Sequence, residues 1–180
     1  MKKVVLKFGI LSGAVVVVLM GVNTIFSEQI GFDRAVLSGY TAILISFLFV
    51  YFGIRSYRDD VLGGEITFGT GFNVGILITL ISCAFYVAGW LIIYYNFMPD
   101  FGEKYGAYLV EKMRASGASQ VEIDATIKQG KDMIAMLKNP IINAAVTFTE
   151  PFPVGLLVTL ISAAVLRTKA PKALRATQAP

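Results

Sequence analysis

The sequence predicts an all-α polytopic membrane protein with four transmembrane helices and an extramembrane helical hairpin between the third and the fourth. Three observations carry this expectation. Apolar residues make up 56% of the chain and charged residues only 16%, against about 45–50% and about 25% in soluble domains. The apolar residues gather into four blocks, near 8–26, 35–54, 71–95 and 141–166, each close to the roughly 20 residues that cross a hydrocarbon core. The one long hydrophilic stretch, 98–140, reads as two helical halves around Ser116-Gly117-Ala118.

The first block follows Lys2, Lys3 and Lys7. A basic start before an apolar run also opens a signal peptide, but this run exceeds an h-region of about 7–15 residues. No small-x-small cleavage site follows it in Val22-Asn23-Thr24-Ile25-Phe26-Ser27-Glu28, so the first helix is expected to be retained. A short polar loop at 27–34 precedes the second helix, which Arg55 and Arg58 stop.

The stretch 55–70 is expected to be a loop, with a turn at Gly63-Gly64 and an N-cap at Thr67 or Thr70. Its glycines do not form a phosphate loop, because no Gly-Lys-Ser/Thr follows. Its mixed charges, Arg55 to Asp60, suit an internally neutralised connector or a docking surface. Near the far end of the third helix, Trp90, Tyr94 and Tyr95 resemble an interfacial aromatic belt. In the hydrophilic insert, Ser119-Gln120-Val121-Glu122 is a capping-box pattern and Asn139-Pro140 a stop. At about 40 residues the insert is too small for a substantial core of its own, so it is expected to lean on the membrane, the bundle or a partner. The last helix is interrupted by Glu150-Pro151-Phe152-Pro153, and residues 167–180 read as a basic disordered tail.

Lys and Arg near helix ends orient such a protein. The N-terminal segment, the 55–70 loop and the tail together carry nine, whereas the 27–34 loop has only Arg34 and the insert balances six bases with six acids. Both termini are therefore expected in the cytoplasm of a bacterial inner membrane, with the insert outside. A net charge of +4 located mainly at membrane-flanking ends, alongside 12 acids, argues against a nucleic-acid partner. The absence of His removes His-based acid–base chemistry and His metal sites. The single cysteine, Cys83, can form no intrachain disulfide. No catalytic residue, metal or cofactor is expected, and the chain is read as non-enzymatic.

Two small-xxx-small patterns, Gly9 with Gly13 and Gly71 with Gly75, put paired glycines on one helix face, where backbones can approach closely. They suit packing within the bundle or a dimer surface. The third and fourth helices echo one another: 74–82 and 154–162 are identical at seven of nine positions. An internal duplication would produce this, and so would the small alphabet of apolar helices.

Glu150 is the one acid inside a transmembrane block, and intramembrane acids are costly and frequently functional. Pro151 and Pro153 lack backbone donors, so carbonyls one turn earlier lose partners. A broken helix with an acid at the break is a common way to build an ion site. Glu150 is the candidate ion or proton site, expected to face the bundle or an outer vestibule and to be met by the hydroxyls of Thr147 and Thr149, by water or by a proton. The alternative is a carboxylate that reaches out to the surface above a shorter final helix.

Tyr57-Arg58-Asp59, then Gly63-Gly64-x-Ile66-x-Phe68-Gly69, the third helix, a soluble insert and a final helix ending Leu166-Arg167-x-Lys169 together resemble a bacterial family known as domain of unknown function 4199. The resemblance spans nearly the whole chain and is most specific over 55–75. It implies a four-helix inner-membrane protein and supplies no activity. The leading functional expectation is association with a second copy or a membrane complex in the bilayer. The competing one is a small transporter or channel subunit using Glu150.

Overall fold

The computed structural model describes residues 1–168, so the tail expected over 167–180 lies almost entirely outside the described residues. Those residues form α1 (Lys2–Ile30), α2 (Phe32–Ser56), α3 (Phe68–Asn96), α4 (Phe101–Ala115), α5 (Gln120–Leu137), α6 (Pro140–Phe148) and α7 (Pro151–Leu166), with a single π turn over Tyr57–Val61 after α2. Four spans are long and apolar enough to cross a membrane: Lys2–Ser27, Phe32–Val61, Phe68–Asn96 and Pro140–Leu166.

The loop expected at 27–34 is not one. α1 continues through Ser27 to Ile30 and α2 starts at Phe32, leaving Gly31 alone between them. Nothing in Ser27-Glu28-Gln29 forbids a helix, and Gly31 turns the chain with φ 83° and ψ 147°, a conformation open to glycine. At the opposite end, α2 overruns Arg55 into the π turn. Leu62 N–H donates to the Tyr57 carbonyl at 3.2 Å and Gly64 N–H to that of Arg58 at 2.9 Å. Gly63 and Gly64, with φ 71° and 101°, then reverse the chain. Arg58 lies 2.6 Å from Asp59, Arg55 lies 3.5 Å from it, and the Ser56 hydroxyl donates to Asp60 at 2.7 Å. The connector is internally neutralised.

Two caps anticipated from local pattern form, and Asn139, expected only as a stop, also caps the next helix. Thr67 Oγ1 accepts from Thr70 N–H at 3.2 Å and starts α3. Ser119 and Glu122 form a reciprocal capping box at α5. Asn139 Oδ1 accepts from Ile141 N–H at 2.9 Å, with Pro140 opening α6.

Helices α2 and α3 are central; α1 packs against both from one side and α7 against both from the other. The core is built from Phe47, Val50 and Ile54 of α2 and Val74, Ile78 and Cys83 of α3. The N-terminus, the 62–67 connector and residue 168 lie at one end, the termini side. There Ile66 N–H donates to Thr168 Oγ1 at 2.8 Å and Thr168 N–H to the Ile66 carbonyl at 3.0 Å. Gly31 and the α4–α5 hairpin lie at the other end, the hairpin side.

Polar groups inside the bundle are matched. Ser12 donates to the Ser46 carbonyl at 2.8 Å and lies 2.9 Å from Ser82 Oγ, joining α1, α2 and α3. No buried side-chain polar atom among the described residues lacks a partner, as a water-poor interior demands.

Candidate functional site

The two GxxxG pairs lie on contacts inside the chain. A Cβ added at Gly9 would stand 2.9 Å from Ile81, and one at Gly13 would stand 2.5 Å from Phe85, so this pair seats α1 on α3. At Gly75 an added Cβ would meet Ile54 and Thr159 at 2.8 Å, and at Gly71 it would meet Ala163 and Ile54 at 3.4 Å, so the second pair seats α3 against α2 and α7.

The echo between α3 and α7 has a physical account in the same contacts. A Cβ added at Gly75 would stand 2.8 Å from the Thr159 methyl, and one added at its counterpart Gly155 would stand 2.5 Å from the Thr79 methyl. Between these contacts the Thr79 and Thr159 hydroxyls hydrogen-bond at 2.9 Å. The antiparallel helices therefore meet about a local two-fold axis, each offering a glycine notch to the other's threonine. A self-complementary contact needs the same residues on both sides, as in any two-fold interface.

At the hairpin side the packing opens. α6 leans on α3 and α5, and α7 begins only at Pro151. A cavity of about 280 Å³ remains among α1, α2, α3, α4 and Glu150. Val16, Met20 and Ile43 line it on the bundle side, and Asn23, Thr24 and Ser27 add polar groups from α1. Its other walls carry Phe32, Tyr40, Tyr86, Trp90, Phe101 and Tyr105. Among the described residues no Lys or Arg lines it. A shallower groove of about 490 Å³ between α1 and α2 is lined chiefly by aliphatic residues with Arg34.

Glu150 sits at the break between α6 and α7. It occupies the N-cap position of α7 yet makes no side-chain cap bond to its own helix. Its carboxylate turns toward α3, where Tyr86 Oη donates to Oε2 at 2.7 Å. This corrects the expected partners: Thr147 donates to Asn143 Oδ1 at 3.1 Å and Thr149 to the Val146 carbonyl at 2.6 Å. Both threonines bond back along α6, as hydroxyls inside helices do. No second protein group among the described residues bonds Glu150. Pro151 and Pro153 have no N–H, so the Thr149 carbonyl lacks its helical donor, while Glu150 N–H reaches the Thr147 carbonyl at 3.3 Å.

The hairpin covers one side of this cavity. Phe32 packs on Phe101, Tyr105 and Tyr108 of α4, with ring centroids 6.2, 5.5 and 5.1 Å apart. Trp90 meets Phe101 edge-on at 5.3 Å. Lys112 Nζ lies 2.7 Å from Asp33 Oδ1 and pins α4 to the start of α2. The Asp33 carboxylate holds the Lys112 ammonium above the ordinary lysine range and, as hydrogen-bond acceptor, pushes the Tyr108 phenol up.

Sequence reading missed Tyr86 and every aromatic of the walls except Trp90. Tyr86 lies 64 residues from Glu150, in an apolar stretch where one tyrosine reads as interfacial. Its one signal was a hydroxyl about as far along α3 as Glu150 lies from the other end of the last span. No curated protein and no solved structure matches the chain. The family model described as "Protein of unknown function (DUF4199)" matches residues 7–168, and this four-helix membrane chain belongs to that family.

Proposed function

We propose that this chain is a non-enzymatic membrane protein that admits a small cationic solute or a proton from the hairpin side, as a small transporter or channel subunit. The observation that carries the reading is Glu150: at a proline-broken helix, turned from its own helix onto Tyr86, on the wall of a cavity without a basic residue among those described. Glu150 lies within the apolar span Pro140–Leu166, where a carboxylate needs a counter-charge or a proton, and among the described residues no Lys or Arg in the cavity lining supplies one. The Lys/Arg distribution supports a bacterial inner membrane with the hairpin outside and both termini in the cytoplasm. Association with a second copy or a larger complex is the other reading. Its support is the hairpin's solvent-facing Val121, Met133 and Met136, exposed by 79%, 47% and 50%.

Flux through proteoliposomes loaded with pH- and cation-sensitive dyes tests the transport reading. Wild type is expected to pass protons or cations, and Glu150→Gln to slow passage about tenfold or more, the effect of losing one charged contact, with helicity and thermal stability retained. Wild-type vesicles as tight as empty ones, together with a stoichiometric partner retained in mild detergent, would replace transport with association.

A further inference from the structure

We propose that the hairpin-side cavity is a binding site for organic cations, an ammonium head held among aromatic rings with Glu150 as counter-charge. This rests on the cavity being the functional site and specifies what enters it.

The walls decide the class. Among the described residues one carboxylate and no base line the cavity, which disfavours anions. A bare metal ion needs several oxygen ligands, about six to eight for calcium and six for magnesium. Here a single carboxylate already accepts from Tyr86, and most of the lining is carbon. An ammonium group carrying methyl or methylene substituents asks for less. It gains from aromatic faces within about 6 Å and from one unpaired carboxylate oxygen, and its carbon substituents match an apolar wall. Six aromatic residues from α2, α3 and α4 provide those faces. Aromatic belts at a membrane surface face lipid and headgroups, whereas these rings line a cleft between helices that opens to the surface at Tyr40 and Glu150, both exposed. At about 280 Å³ that space lies at the lower end of small-molecule sites, about 300–1,000 Å³. The two lysines of α4 are engaged with other acids: Lys112 is held by Asp33 and Lys104 lies 3.1 Å from Asp100. Tyr86 acts as a positioning residue, fixing Oε2 and leaving the other carboxylate oxygen without a protein partner among the described residues.

The chain contains one tryptophan, and it is Trp90, in the cavity wall. Its emission therefore reports occupancy without a label. The full chain in nanodiscs would be titrated with tetramethylammonium chloride and choline chloride. Sodium chloride at matched ionic strength and 3,3-dimethyl-1-butanol, the neutral carbon analogue of choline, serve as comparisons. A saturable change with the two ammonium salts alone is expected. Glu150→Gln should weaken it about tenfold or more, Glu150→Asp should retain most of it, and Tyr40→Ala should weaken it roughly two- to fivefold where Tyr40→Phe does not. Equal binding of the neutral alcohol, no loss with Glu150→Gln, or no saturable response overturns the proposal. A response to sodium alone, with Glu150-dependent flux intact, overturns it while leaving the transport reading standing.

Discussion

Gly75 and Gly155 show how little room the bundle leaves at a single position. Each receives a threonine methyl from the facing helix, so a side chain at either site must displace a neighbour anchored in another helix. Gly75→Leu and Gly155→Leu are each expected to cost about 1–3 kcal/mol by overpacking. Gly21→Leu, where an added Cβ meets nothing within 4 Å, should be nearly neutral, because lipid tails are as apolar as Leu. Thermal unfolding in mild detergent separates the two classes, and a Gly75→Leu melting curve coincident with wild type would refute the packing argument. Glu122 carries a second expectation. It accepts from Ser119 N–H at 2.8 Å and also from the Ser119 hydroxyl, and these bonds lower its pKa below the ordinary 4.5. A lowered carboxylate contributes stability that is present above 4.5 and is lost as pH falls through the folded value. Acid should therefore loosen the start of α5 first, read as faster amide exchange at residues 119–123, and Glu122→Ala should abolish that pH dependence.

At the scale of elements, α4 is held over the cavity by two unlike contacts: the Phe32 aromatic cluster and the Lys112–Asp33 pair. An exposed ion pair contributes little, so the cluster should dominate. Phe32→Ala is expected to cost roughly 2 kcal/mol, loosen α4 and raise acrylamide quenching of Trp90. Lys112→Met should change quenching far less. Because Lys112 is held above its ordinary 10.5, the ion pair contributes fully below that pH and is lost as pH rises through the higher folded value. Any ion-pair-dependent quenching should rise only in that alkaline range, and Lys112→Met should not show it. Elements whose ends are written in adjacent residues were legible in the sequence: the caps at Thr67 and Ser119 and the break at Asn139-Pro140 each close within three residues. The polar run before Gly31 misled, since polarity alone does not end a helix and the single φ of 83° that does belongs to Gly31. Glu150 was legible as an exception to hydropathy. Its partner Tyr86 and the aromatic walls were not, because they come from helices brought together only by packing.

For the whole molecule, the alternation of α1, α2, α3 and the final span puts three segments on the termini side and the hairpin opposite. If the Lys/Arg excess sets the orientation, a membrane-impermeant maleimide should label Ala118→Cys in intact spheroplasts and spare Glu65→Cys until the membrane is opened, both in a Cys83→Ser background. The reverse pattern would invert the topology. The reciprocal contact between α3 and α7 also bears on inheritance. Position 75 shares its space with 159, and position 155 with 79, so neither member of a pair can drift alone. Across the family, a larger residue at 75 should occur only with a smaller one at 159, and likewise for 155 and 79. Two helices under one mutual constraint would keep resembling each other by selection on their shared surface, with or without a common origin.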